Sequence, residues 1–146
     1  MAEVCVDASF VLKWFLPEEH SDCARAALLD YQEQKALFAA PGLLPFEIIS
    51  VLRRKVYSGI LLPSEADEAF SCFMSMKFKL LSGNRVNRQA WQYAVYFNRP
   101  NAYDCFYLAA AKILASGLWT ADQRLYNAVR DELPWVKWVG EYGRHL

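Results

Sequence analysis

Apolar and polar positions along the chain switch between a strand-like and a helix-like period, and each switch marks an element. Val4-Cys5-Val6 is a short apolar run of the kind a buried strand makes, and Asp7-Ala8-Ser9 follows it at once. Phe10-Val11-Leu12 and Trp14-Phe15-Leu16 continue as a helix up to Pro17. Residues 20–35 form an amphipathic pattern, with Ala24, Ala27, Leu28 and Tyr31 on one face. Residues 37–40 predict a second strand, stopped by Pro41-Gly42, and residues 44–57 a helix ended by Ser58-Gly59. Pro63-Ser64 opens the next helix, with Ser64 as its expected N-cap and Ala66, Ala69, Phe70 and Phe73 along it.

The second half repeats the alternation. Residues 78–81 make a weak third strand, and a helix is expected at about 88–97, broken by Arg99-Pro100-Asn101. An alanine-rich helix spans about 103–115 with Gly117 ending it, 118–120 is a strand, 121–129 a helix, and 136–139 a final edge strand. Strands alternating with helices predict an α/β fold, a three-layer α/β/α sandwich on a mostly parallel central sheet. At 146 residues the chain, 1–146, reads as a single domain.

Composition narrows the class. Apolar residues make up 55% of the chain and aromatics 15%, which excludes a disordered chain and leaves apolar surface for a partner or a second copy. Sixteen basic and sixteen acidic residues sum to zero, against a binder held to nucleic acid by net charge alone. The zero hides a segregation: residues 1–52 hold 3 basic and 8 acidic groups, residues 53–112 hold 9 and 4. Cys5, Cys23, Cys72 and Cys105 form no CxxC pair; Cys5, Cys72 and Cys105 lie in apolar runs and read as core residues. With no basic N-terminal region before an apolar stretch and no run long enough for a membrane span, a reduced cytoplasm is the expected compartment.

Four of the sixteen acids sit in apolar settings: Asp7 directly after the first strand, Glu47 between Phe46 and Ile48-Ile49, Asp104 between Tyr103 and Cys105-Phe106, and Asp122 just beyond the strand ending at Thr120. An acid in such a setting is costly unless it is paired, hydrogen-bonded or bound to a metal. Each has a structural reading. Asp7 is a good N-cap, Asn101 and Asp104 have the spacing of a variant capping box, and Thr120 is placed to cap the helix holding Asp122. Taken together they have another. Asp7 and Asp122 follow the C-terminal ends of strands, the edge where open α/β sheets bind ligands. Carboxylates converging there repel one another unless a cation holds them, and Mg2+ or Mn2+ suits such oxygen donors. The chemistry that follows is metal-assisted phosphoryl transfer.

The same residues carry a resemblance. Asp7-Ala8-Ser9 after a short strand, Phe46-Glu47-Ile48-Ile49 opening a helix, Tyr103-Asp104-Cys105-Phe106-Tyr107-Leu108-Ala109-Ala110-Ala111, and Thr120-Ala121-Asp122 together resemble the PIN-domain ribonucleases, and among them the VapC-type toxins of toxin–antitoxin pairs. The resemblance implies a Rossmann-like α/β/α fold and a Mg2+- or Mn2+-dependent endoribonuclease. It places the acidic quartet on Asp7, Glu47, Asp104 and Asp122, with Ser9 and Thr120 as polar supports. It also implies a homodimer and a cognate antitoxin. The chain has only His20 and His145, and a carboxylate mechanism needs neither. Lys13, Arg85, Arg99 and Arg124 are candidates for phosphate contacts with RNA. Trp91, Tyr93, Tyr96 and Phe97 have the spacing of a base-stacking strip or of a core or dimer face. The alternatives are a PIN-type nuclease of RNA processing that is not a toxin, and a catalytically silent binding module whose acids are only caps. A haloacid-dehalogenase-type phosphatase is disfavoured, because Ser9 stands where its second acid is required. The signatures of P-loop, dinucleotide-binding and serine-hydrolase sites are absent.

Overall fold

A computed structural model describes residues 2–143; His145 lies outside the described residues. The elements run β1 (Glu3–Val6), α1 (Ala8–Phe15), α2 (Ser21–Glu33), β2 (Leu37–Pro41), α3 (Leu44–Tyr57), α4 (Pro63–Ser75), β3 (Lys79–Leu81), α5 (Asn84–Tyr96), α6 (Tyr103–Leu114), β4 (Leu118–Thr120), α7 (Gln123–Val129) and β5 (Val136–Trp138), with a 3-10 turn at Val139–Glu141. The five strands pair in the order β3-β2-β1-β4-β5, and every pairing is parallel. The expected α/β/α sandwich is therefore present, on a wholly parallel sheet.

The order fixes where a ligand site belongs. From β1 the chain winds outward through β2 and β3, then returns across the sheet to β4 and β5. Right-handed crossovers put α1–α4 on one face and α5–α7 on the other. Packing agrees: α1 meets α2, α3 and α4, while α6 lies across β1, β2 and β4 with α5 behind it. The winding reverses between β1 and β4, and a crevice opens beyond the C-terminal ends of those two strands.

The core explains the apolar runs. Val6, Phe10, Val11, Leu44, Ile48, Leu108, Leu118 and Leu125 are fully buried. Ala109, Ala110 and Ala111 are buried without exposure, so α6 approaches the sheet closely because nothing larger than a methyl intervenes. On the other face Trp14 meets Phe38 at 4.9 Å and lies parallel to Phe78 at 6.3 Å. Phe78, expected in the third strand, belongs to this aromatic cluster just before it.

Several boundaries differ from expectation, each for a local reason. The N-cap of α4 is Leu62 rather than Ser64: Pro63 takes the first helical position, and the Leu62 N–H donates to Glu65 Oε1 at 2.8 Å. Helix α5 begins at Asn84, four residues early, because Gly83 at φ +112 makes the turn. Helix α6 ends through Ala115 in the left-handed region at φ +53, not at Gly117, whose carbonyl accepts the Cys5 N–H. Helix α7 begins at Gln123 with Asp122 as its own cap, so Thr120 does not cap it. Cys5 and Cys105 are buried as expected, but Cys72 is exposed. No helix among the described residues is long and apolar enough to cross a membrane.

Candidate active site

Asp7 marks the point where β1 becomes α1. Its N–H still follows the sheet, donating to Trp119 O at 3.2 Å, while its carboxylate caps α1 by accepting the Phe10 N–H at 2.9 Å. The side chain is 5% exposed. Ser9 Oγ donates to the same Oδ1 at 2.7 Å, and Thr120 Oγ1 donates to Oδ2. Both hydroxyls reach across the switch point: Ser9 Oγ accepts the Ala121 N–H at 3.0 Å and Thr120 Oγ1 accepts the Asp122 N–H at 2.9 Å. Two hydroxyls thus join the ends of β1 and β4 and hold Asp7 and the Asp122 backbone in register.

Asp122 caps α7, its Oδ1 accepting from the N–H groups of Arg124 at 3.0 Å and Leu125 at 3.1 Å. Glu47 and Asp104 each lie in the first turn of their helices, α3 and α6. A parallel sheet delivers helix N-termini to one edge, and the positive ends of α1, α3 and α6 partly offset the carboxylates gathered there. All four acids, with Ser9, line one cavity of about 370 Å³. Asp7 and Asp122 meet the structural reading, since each caps a helix, and both also line the cavity. The expected capping box at Asn101 does not form: the N-cap of α6 is Ala102, Asn101 Oδ1 accepts the Tyr103 N–H at 3.2 Å in a local turn, and Asp104 turns to Arg99.

The electrostatics record chiefly the burial of these acids. Burial lifts the Asp7 carboxyl from its ordinary 3.8 to about 6; the bonds from Thr120, Ser9 and the Phe10 N–H oppose this, and Asp122 adds to it. Burial also raises Glu47, with the Tyr107 hydroxyl opposing and Asp104 adding. Glu47 Oε1 and the Tyr107 hydroxyl are buried near one another without a hydrogen bond of good geometry. Arg99 Nη2 donates to Asp104 Oδ2 at 2.9 Å, and Cys105 Sγ lies 3.6 Å from Oδ1.

Among the described residues no three Asp, Glu, His or Cys side chains stand as a ready metal-binding cluster. Their oxygens face hydroxyls, N–H groups and Arg99 instead. The donor set nevertheless fits a hard divalent ion: four carboxylates line one cavity, and two of their carboxyls, Asp7 and Glu47, are held above their ordinary range by burial.

Of the expected basic contacts, Arg99 and Arg124 line the cavity. Lys13 and Arg85 do not. Lys13 Nζ lies 3.7 Å from Glu18 Oε1, and Arg85 borders a separate cavity with Arg88 and Lys112. Asn101, expected only as a helix cap, and Tyr107, present in the family-like stretch without a role, also line the acidic cavity. For Tyr107 the signal was its place one helical turn after Asp104, which puts both on one face.

No curated protein matches the chain significantly. The family model described as PIN domain matches residues 4–131, from β1 to the turn beyond α7, and a match over most of the chain establishes that it belongs to the PIN-domain family, whose members are generally nucleases that use divalent metal ions.

Proposed function

We propose that the chain is a Mg2+- or Mn2+-dependent endoribonuclease in which Asp7, Glu47, Asp104 and Asp122 hold the metal and Ser9 and Thr120 support them. The observation that carries this reading is the convergence of the four carboxylates, with Arg99 and Arg124, in one cavity at the switch point of the sheet. A bound divalent ion would supply Lewis-acid charge and make water acidic enough to act at neutral pH. The residues do the rest. Asp7, fixed from three sides, sets the geometry of the donors. Glu47, buried beside the Tyr107 hydroxyl and in no ion pair, is the acid with a carboxylate oxygen available to a ligand. Arg124, exposed at the rim, is placed to meet a phosphate next to the scissile one.

RNA rather than DNA as substrate rests on the resemblance to the PIN ribonucleases, as does the role of a cytoplasmic toxin restrained by an antitoxin. Exposed apolar side chains favour a homodimer and a protein partner: Trp91, Val95 and Tyr96 on α5, and Ile49, Phe70 and Met74 on α3 and α4. The reading takes residues 1–146 as one nuclease domain.

The test incubates the purified chain with a single-stranded RNA and a DNA of the same sequence, with Mg2+, with Mn2+ and with EDTA. Internal cleavage of RNA alone, abolished by EDTA, is expected. Cleavage that persists in EDTA, or no cleavage of either polymer with metal, overturns the reading. A binding module with structural acids would also give no heat on Mn2+ titration.

A further inference from the structure

Among the described residues one guanidinium, that of Arg99, is bonded to a carboxylate of the acidic cavity. Helix α5 ends at Tyr96 with Phe97 as its C-cap, Asn98 takes a left-handed conformation at φ +50, and the Arg99 N–H donates back to Ala94 O at 3.0 Å. That tight reversal brings the Arg99 side chain, 18% exposed, into the cavity and onto Asp104 Oδ2 at 2.9 Å. Arg99 Nε is buried with no hydrogen-bond partner, so the guanidinium is tied by one end and not by its full fork. Arg124 is joined to Asp122 through its backbone N–H, with its side chain exposed at the rim.

We propose that Arg99 is an internal counter-cation that a divalent ion must displace from Asp104, so that Arg99 sets the metal affinity of the cavity. This rests on the metal-binding reading above. An ion on Asp104 Oδ2 sits about 2.1 Å from that oxygen. With Arg99 Nη2 2.9 Å from the same atom, the two cations would lie within about 5 Å of each other in a partly buried site, where repulsion is weakly screened. The guanidinium therefore moves before Asp104 Oδ2 becomes a ligand, Oδ1 facing only Cys105 Sγ at 3.6 Å. Its single bond and unsatisfied Nε make that movement less costly than breaking a bidentate pair. Arg99 offsets Asp104 but forms no bond to Glu47, whose carboxylate is buried beside the Tyr107 hydroxyl, so the cavity keeps a demand for positive charge that Arg99 does not meet. Once displaced, Arg99 is a free cation at the mouth of the cavity, available to a substrate phosphate.

The test titrates Mn2+ into the full chain by calorimetry, in wild type, Arg99→Gln and Arg88→Gln, the last removing an equal charge from the separate α5 cavity. Arg99→Gln is expected to bind Mn2+ about tenfold more tightly than wild type, with Arg88→Gln changing little. Thermal melts supply a second readout. In EDTA, Arg99→Gln should melt below wild type, and saturating Mn2+ should raise it by more. Should Arg99→Gln be too unstable to titrate, Arg99→Lys replaces it and is expected to bind about threefold more tightly, because the charge remains but the compact, strongly hydrated ammonium leaves Asp104 more readily. Equal or weaker binding in the Arg99 variants, or equal tightening in Arg88→Gln, overturns the proposal while the metal site stands. Absence of Mn2+ binding in every protein, wild type included, instead defeats the metal-binding reading itself.

Discussion

Asp7 concentrates the conflict between stability and chemistry into one side chain. It is buried, it caps a helix and it accepts three hydrogen bonds, yet its carboxyl still rests at about 6. The folded chain therefore holds a proton there that the unfolded chain has already released. The resulting contribution to stability is complete below the ordinary value of 3.8 and is lost as pH rises through about 6. Glu47, raised in the same direction, adds to the trend. In EDTA the wild type is expected to lose on the order of 2–3 kcal/mol of stability from Asp7 between about pH 4 and pH 8, and Asp7→Asn should flatten that part of the curve. Denaturant unfolding at a series of pH values measures it, and a flat wild-type curve contradicts the account. Thr120 makes a second prediction at this scale. It is fully buried and bonds both the Asp7 carboxylate and the Asp122 N–H. Thr120→Val keeps the shape but strands both groups, and should cost about 1–3 kcal/mol, with Thr120→Ser recovering most of it. These residues show how far single-residue reading reached. Asp7, Glu47, Asp104 and Asp122 stood out because acids in apolar runs demand a reason. Tyr107 did not, because a tyrosine in an apolar helix demands none. The Arg99–Asp104 bond was hidden because it depends on how the chain reverses after α5, which spacing does not specify.

At the scale of elements, period and punctuation located every strand and helix, and tertiary contacts moved their ends. Val4–Val6 and the alanine run of α6 were legible because burial on both sides leaves no polar positions. The cap of α4 was misplaced because Pro63 and Glu65 supplied a better start than Ser64 did, and the end of α6 because Ala115 turned where a glycine was expected. The alanines of α6 carry their own prediction. Since Ala110 is fully buried between helix and sheet, Ala110→Leu should lower stability by about 1–3 kcal/mol and displace the N-terminal turn of α6 that holds Asp104. A melting curve and the Mn2+ affinity of the same variant check both parts; an unchanged melting temperature would show that α6 is not packed this tightly.

For the molecule as a whole, the strand order does what no single motif does. It reverses winding at β1 and β4 and so brings the acids, separated by more than a hundred residues, to one crevice. The zero net charge resolves into an acidic cavity with two arginines and a basic population largely elsewhere. Arg54 lies seven residues beyond Glu47 on α3, about 10 Å along the axis and away from the cavity end. Salt dependence reads this division. The slope of log affinity for single-stranded RNA against log salt should fall by about 0.7 on Arg124→Gln and stay unchanged on Arg54→Gln; the reverse pattern would relocate the RNA path. The most direct test of the central claim is the Mg2+-dependent rate of internal RNA cleavage by wild type and by Asp7→Asn, Glu47→Gln, Asp104→Asn and Asp122→Asn, each first shown to be folded. The account predicts a loss of about a hundredfold or more in every variant. A folded Asp7→Asn or Asp104→Asn cleaving at the wild-type rate would contradict it.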